Sequence, residues 1–184
     1  MAAPLGGNAQ AKTDEHRLQP PEFYADIAQR LARQMPREHL SRAPLNDTIS
    51  NRTWTNYLDA LDFGHVYFLQ SDIEAFADRR DTLDDDLFDG DLSFAYDVFH
   101  IFRQRVRERF AHLKILLDRG FDLTADEAYV WQRKDQPWPG DRAAMDELWR
   151  RKIKNEYVRA LVARLSNEDD DAEVSAEETL PEPE

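Results

Sequence analysis

No cysteine occurs among the 184 residues, which excludes a disulfide framework, a thiolate nucleophile and a Cys-ligated zinc centre. Its absence leaves the compartment open, because cytosolic and periplasmic proteins alike can lack it. Lysine is scarce, at Lys12, Lys114, Lys134, Lys152 and Lys154, so few amines are at hand for a Ser-Lys dyad. No window holds the ~20 apolar residues of a membrane helix, and Met1–Gly7 has neither a basic region nor an apolar run, unlike a secretory signal. Clustered positive charge is also missing: the formal net charge is −13. Nucleic acid is therefore not an expected partner, since binding to phosphates is driven by clustered Lys and Arg. Much of that acidity is local, for Ser166–Glu184 contains nine acids and no Lys or Arg, leaving residues 1–165 at −4 with 28 acids against 24 bases.

What is present points to one folded unit with tails. The chain has 41% hydrophobic residues, ten Phe, six Tyr and four Trp, enough for an aromatic-rich core but not for two domains of comfortable size. Residues 1–21 are small, polar and punctuated by Pro and Gly, and are expected to be mobile. Phe23, Ile27 and Leu31 repeat at i+4 and predict a first helix with one apolar stripe, ended by Pro36. Trp54, Tyr57, Leu58 and Leu61 predict a second helix ending near Phe63-Gly64. Ser71 stands three residues before Glu74, a capping-box pattern that predicts a third helix carrying Ile73, Phe76, Leu83 and Leu87. Asp89-Gly90 marks a turn.

A long central helix is predicted from Asp91 to Arg119, where Ala95, Val98, Phe99, Phe102, Val106, Phe110, Leu113, Leu116 and Leu117 share one face and Gly120 follows as a stop. Pro137-Trp138-Pro139 excludes a continuous helix over 121–140, which should be an extended connector pinned to the core by its aromatics. A last helix from Asp141 carries Met145, Leu148, Trp149, Ile153, Tyr157, Leu161 and Leu165. The expected architecture is thus all-α and irregular, a folded body over 22–165 followed by an acidic disordered tail or linker over 166–184.

Chemistry-bearing residues are few. Asp97 and His100 stand i, i+3, a spacing used by carboxylate-histidine metal ligands in bundles. Their place on the wheel turns them away from the apolar face, so a solvated polar pair is expected. His112 lies too far around the helix to join His100, and His16, His39 and His65 fall in loops or tails without signature spacing. No metal site and no cofactor is expected. The six serines occupy capping, turn or tail contexts, none in a Gly-x-Ser-x-Gly elbow, and Ser71 reads as a cap rather than a nucleophile. Charges offer a surface instead. Asp72, Glu74, Asp78, Asp81, Asp84, Asp85, Asp86, Asp89 and Asp91 form an acidic region, and Arg103, Arg107 and Lys114 line a flank of the next helix. Solvated faces account for these residues one by one; docking to a domain or adaptor is the other reading. Asp84–Asp86 lack the ligand pattern of a calcium loop.

The segments Ser41-Arg42-Ala43-Pro44-Leu45-Asn46-Asp47, Tyr57-Leu58-Asp59-Ala60-Leu61-Asp62, Tyr67–Phe76, Arg80–Asp85, Leu117–Asp122, Gln136–Pro139 and Glu147–Arg150 come in an order and spacing that resembles the amino-terminal helical domain of the tail-specific, or carboxy-terminal processing, proteases. The resemblance covers about residues 39–165. It implies a helical, non-catalytic domain that, in full-length members, precedes a PDZ domain and a serine protease core with a lysine base. Such enzymes cleave proteins selected by their carboxy-terminal ends in the bacterial periplasm. No catalytic residue of that family finds a matching position here, and the PDZ and nucleophile-bearing regions have no counterpart in this sequence. The resemblance thus implies PDZ and protease domains, protein substrates or an adaptor as partners, with a free-standing helical interaction module as the alternative.

Overall fold

The computed structural model describes residues 17–38 and 43–177, with side chains as far as Asn167. Among the described residues regular structure is helical, without a strand: α1 (Phe23–Glu38), α2 (Asp47–Asp62), α3 (Gln70–Ala75), a 3₁₀ turn at Ala77–Arg79, α4 (Leu83–Asp89), α5 (Ser93–Arg119) and α6 (Arg142–Glu177). The all-α expectation holds, and the long helix stops at Gly120 with φ +70°. Asn46 starts α2 by accepting the Ile49 N–H at 3.2 Å, and Asp141 starts α6 by accepting the Ala144 N–H at 2.8 Å, as short polar caps do.

The α2–α3 junction organises the rest. Asp62, 2% exposed, accepts the backbone N–H groups of Val66 at 2.8 Å, Tyr67 at 3.0 Å and Phe68 at 2.9 Å. The chain therefore reverses tightly, with His65 at a left-handed φ of +48°. Phe68 enters a core with Trp54, Leu58, Ile73, Phe94 and Val98. Tyr67 turns to a second core built on Leu116, Met145 and Trp149, and its ring meets Phe102 and Trp149 at 5.3 and 5.7 Å. Burial of an aromatic side chain stabilises by about 1.5–3 kcal/mol, provided its polar tip is satisfied. Here Trp54 Nε1 donates to the Phe76 carbonyl, Tyr57 Oη to Ala95 and Trp149 Nε1 to Val66.

The connector 120–141 has no regular helix. Trp138 stacks on the His65 ring at 3.7 Å, His65 Nδ1 donates to the Gln136 carbonyl, and Gln70 N–H donates to the Pro139 carbonyl at 2.9 Å. These contacts pin the Pro-Trp-Pro stretch against the α2–α3 junction. Trp131, by contrast, is 73% exposed and pins nothing.

Several expectations need correction. Pro36 does not end α1, which runs two residues further; in the last turn the missing N–H costs one hydrogen bond only. The stripe Phe23, Ile27 and Leu31 is exposed, and Ala28 and Ala32 are buried in its place. The reason is a close approach: a Cβ at Gly90 would stand 3.0 Å from the Ala25 carbonyl oxygen, so only the small-residue side of α1 fits there. Gln29 Nε2 completes the contact by donating to the Asp89 carbonyl at 3.0 Å. Ser71 is not the α3 cap. It lies inside the helix, and Asp72 instead accepts the Leu69 N–H at 2.9 Å. The third predicted helix is broken into α3, the 3₁₀ turn and α4, at the point where Trp54 takes the Phe76 carbonyl.

On α5 the apolar face loses Phe110 and Leu117, both exposed, while Arg109 is buried. Helix α6 continues past Leu165 to Glu177; residues 178–184 of the expected tail and 1–16 of the expected mobile start lie outside the described residues. Residues 17–20 lie against α5, through contacts described below.

Gly90 has φ +78°, so Gly90→Ala combines a left-handed alanine with a clash against Ala25. We expect a loss of about 2–3 kcal/mol in urea unfolding. Ile27→Ser, on the exposed side of α1, should stay within about 0.5 kcal/mol of the parent.

Candidate interaction surface

Several residues that could carry chemistry are bonded within the fold. Ser50, 1% exposed, donates to Asp84 Oδ1 at 2.5 Å and accepts the Asp84 N–H at 2.8 Å, which fastens α2 to α4. Ser71 is exposed on α3. Ser93 N–H donates to Asp91 Oδ1 at 2.7 Å, and that bond leads in holding the Asp91 carboxyl below its ordinary range. Among the described lysines Lys154 is buried, and its neighbours are the Ala125 carbonyl at 3.3 Å and Glu127 at 3.4 Å, not a serine. Among the described residues no group of three or more His, Asp or Glu is placed to hold a metal.

Asp97 and His100 do face away from the core, but they are not simply solvated. Asp97 takes Arg17 at 2.5 Å, and His100 Nε2 donates to the Leu18 carbonyl at 2.8 Å. Together they hold the segment preceding α1 along α5. His112 sits at 3.7 Å from Asp146 on α6, and His16 and His39 lie outside the described residues.

Three acids of the acidic region, Asp72, Asp86 and Asp91, are paired with arginines of the same chain. Arg105 Nε and Nη2 each donate to Asp72 at 2.8 Å, joining α5 to α3, and Arg79 pairs with Asp86 at 2.6 Å and Asp91 at 3.2 Å. Asn51 donates to Asp81 at 3.2 Å. The basic flank read from the sequence, Arg103, Arg107 and Lys114, takes no part in these pairs; Arg103 lies over the Phe99 ring at 6.0 Å. Arg79, Arg105 and the buried Arg109, which donates to Asp146 at 2.6 Å, were not singled out. Their only sequence signal was a basic residue at an i+3 or i+4 position among apolar ones.

Large apolar side chains are exposed as well. Phe23, Ile27 and Leu31 form one stripe on α1, and Tyr157, Val158, Val162 and Leu165 another on the second half of α6, all at least 36% exposed. Between the connector and the start of α6 lies an open groove of about 460 Å³. No helix among the described residues is long and apolar enough to cross a membrane.

The family model for the tail specific protease N-terminal domain matches residues 31–182. The chain belongs to that family. It is also similar to the tail-specific protease of Haemophilus influenzae (strain ATCC 51907 / DSM 11121 / KW20 / Rd), 32% identical over 130 residues that cover 70% of this chain and 19% of that protein. This tail-specific protease N-terminal domain therefore spans about a fifth of the length of the curated relative it matches. The match takes in α2 to α6, both cores and the groove.

Two outcomes follow for the domain. Glu147, at the rim of the groove, bonds Arg150 at 2.8 and 2.9 Å and Arg151 at 2.7 Å, and these guanidiniums lower its pKa from 4.5 to about 2. A depressed carboxylate contributes stability above its unfolded pKa and loses it as pH falls through the folded one. Glu147→Gln should therefore cost under about 1 kcal/mol at pH 7, as exposed pairs do. The difference should shrink below pH ~4.5 and vanish near pH 2 in parallel denaturation curves. The second outcome concerns activity: the purified chain should release no fragments from an unfolded protein with an apolar carboxy terminus. Cleavage that co-purifies with the chain and disappears on replacing Ser50, Ser71 or Ser93 by Ala would contradict it.

Proposed function

We propose that this domain is the non-catalytic amino-terminal helical part of a serine endopeptidase of the Ser/Lys type, acting in the bacterial periplasm on proteins chosen by their carboxy-terminal ends. Its own contribution is scaffolding: it docks on the PDZ and protease domains and offers a surface to substrates or an adaptor. The observation that carries the reading is the inverted burial of α1, with Phe23, Ile27 and Leu31 outside and Ala28 and Ala32 inside, in a chain similar to a small part of a much longer protease. Large side chains outward and small ones inward is the pattern of a helix with a second partner. In the same reading the folded body spans 22–165, and the acidic helical stretch after Leu165 is a linker.

A complementation experiment tests this. A tail-specific protease core lacking its helical domain is mixed with this chain, and association is followed by sedimentation. Binding that Ile27→Ser together with Val162→Ser weakens at least ten-fold, with unchanged circular dichroism, is the expected result. No association at any concentration, or association indifferent to both substitutions, favours the free-standing interaction module. The reading frame after the codon for Glu184 separates the two independently, since an in-frame PDZ domain and protease core supports the first.

A further inference from the structure

Helix α1, 16 residues long, stands apart from both cores: among the described residues neither core takes a side chain from it. It packs chiefly on α4, a helix of seven residues, and it does so through small groups. Ala28 and Ala32 are buried, with Ala25 and Met35 half-buried on the same side. Burying a methyl group stabilises far less than burying a Leu or Phe side chain, and the Phe, Ile and Leu of α1 lie on the wet face. Nor does the helix hold itself, since in water an isolated helix of ~12–15 residues is marginal. Three polar ties add to the alanine contact: Arg17 to Asp97, His100 to the Leu18 carbonyl and Gln29 to the Asp89 carbonyl. All three are exposed to water, where such bonds contribute little. The rest of the domain is held differently, by aromatic burial and by the ion pairs of Arg105 and the buried Arg109.

We propose that α1, with residues 17–20 before it, is a strap that opens from α4 as one unit while α2–α6 stay folded. The parting runs along the approach of Ala25 to Gly90, where a Cβ on the glycine would stand 3.1 Å from the Ala25 Cβ. At that point backbone meets backbone, so no side chain has to be withdrawn from a pocket for the helix to leave. An element joined by few buried apolar groups and by exposed hydrogen bonds opens locally, at a lower free energy than the whole domain. The open strap bares the Gly90 end of α4 and frees both faces of α1, the alanine face together with Phe23, Ile27 and Leu31. A helix released in this way takes a second position without rearranging either core. The strap is a property of this chain alone. Its failure leaves the docking on a protease untouched, and failure of that docking leaves the strap untouched.

Native-state hydrogen exchange on the full, unsubstituted chain, read by mass spectrometry, measures the opening. Peptides from α1 should exchange together, ~100-fold or more faster than those from α2 and the first half of α5, yet ~10-fold or more slower than an unstructured peptide of the α1 sequence. Their rates should rise little with urea below the global transition, the mark of an opening that exposes little surface. Asp97→Asn together with Gln29→Ala, which cut two of the ties, should speed α1 exchange about three- to ten-fold and leave α2 unchanged. A thiol reports the same event, because the chain has no cysteine of its own. Ala32→Cys should be alkylated ~100-fold or more faster than Val98→Cys in the first core, although both sites are 0% exposed. The proposal is overturned if α1 amides exchange at the rate of α2 and α5 with the same urea dependence, for α1 then belongs to the global unit. It is equally overturned if they exchange as fast as the unstructured peptide, for α1 is then not docked, or if cutting both ties leaves α1 exchange unchanged.

Discussion

Asp62 is the constraint on which the rest of the fold depends. Its carboxylate gathers three successive backbone N–H groups, and the segment held this way sends Phe68 into one core and Tyr67 into the other. The arrangement is not electrostatically cheap. Burial pushes the Asp62 pKa above the ordinary carboxylate range even though the three N–H bonds and His65 pull it down. A desolvated carboxylate costs several kcal/mol unless it is paired, and here the compensation is incomplete. What the residue supplies is geometry: a reversal tight enough to put His65 at φ +48° and to bring its ring under Trp138. The connector, the groove it walls and the docking of α6 all follow from that placement.

Arginine does for the long helix what Asp62 does for the junction. Arg105 reaches Asp72 on α3 with both forks of its guanidinium, and Arg109 reaches Asp146 on α6. They stand one turn apart on α5 and bind different elements, so α5 is held between the two cores by directional bonds rather than by a continuous apolar seam. Removing one partner of a buried pair leaves the other unmet, which costs more than the intact pair contributes. Such pairs therefore specify which elements meet more than they raise stability.

Periodicity made the helices legible, because a stripe at i+3 and i+4 needs no knowledge of neighbours; Gly120, Asp89-Gly90 and Pro137–Pro139 marked their ends through backbone chemistry alone. Direction was a different matter. Phe23, Ile27 and Leu31 form as clean a stripe as any in the chain, and nothing local shows that Gly90 and Ala25 come within touching distance and turn that stripe outward. The same holds for Phe110 and Leu117 on α5, displaced by an Arg109 whose partner lies 37 residues away. Ser71 failed as a cap because Asp72, one residue on, reaches back to Leu69 and is itself fixed by Arg105, a three-body arrangement invisible to a spacing rule. The family was legible from ordered blocks of residues. The groove was not, since its walls meet only once the connector is folded beside α6.

A domain whose buried helix face is Ala and whose exposed face is Phe, Ile and Leu cannot be explained by its own hydrophobic effect. Water alone selects the opposite orientation, by roughly 25 cal/mol for each Å² of apolar surface. The close approach at Gly90 and the Gln29–Asp89 bond show how the inverted orientation is held, but not why a sequence would retain large apolar groups on the wet side, where Ser or Lys would serve α1 equally well. Scattered apolar residues on a surface need no reason; a stripe at i, i+4, i+8 on one helix, matched by another on α6, does. The docking proposed above is the reading that gives both stripes a reason, since a second protein surface takes large apolar groups out of water at both helices.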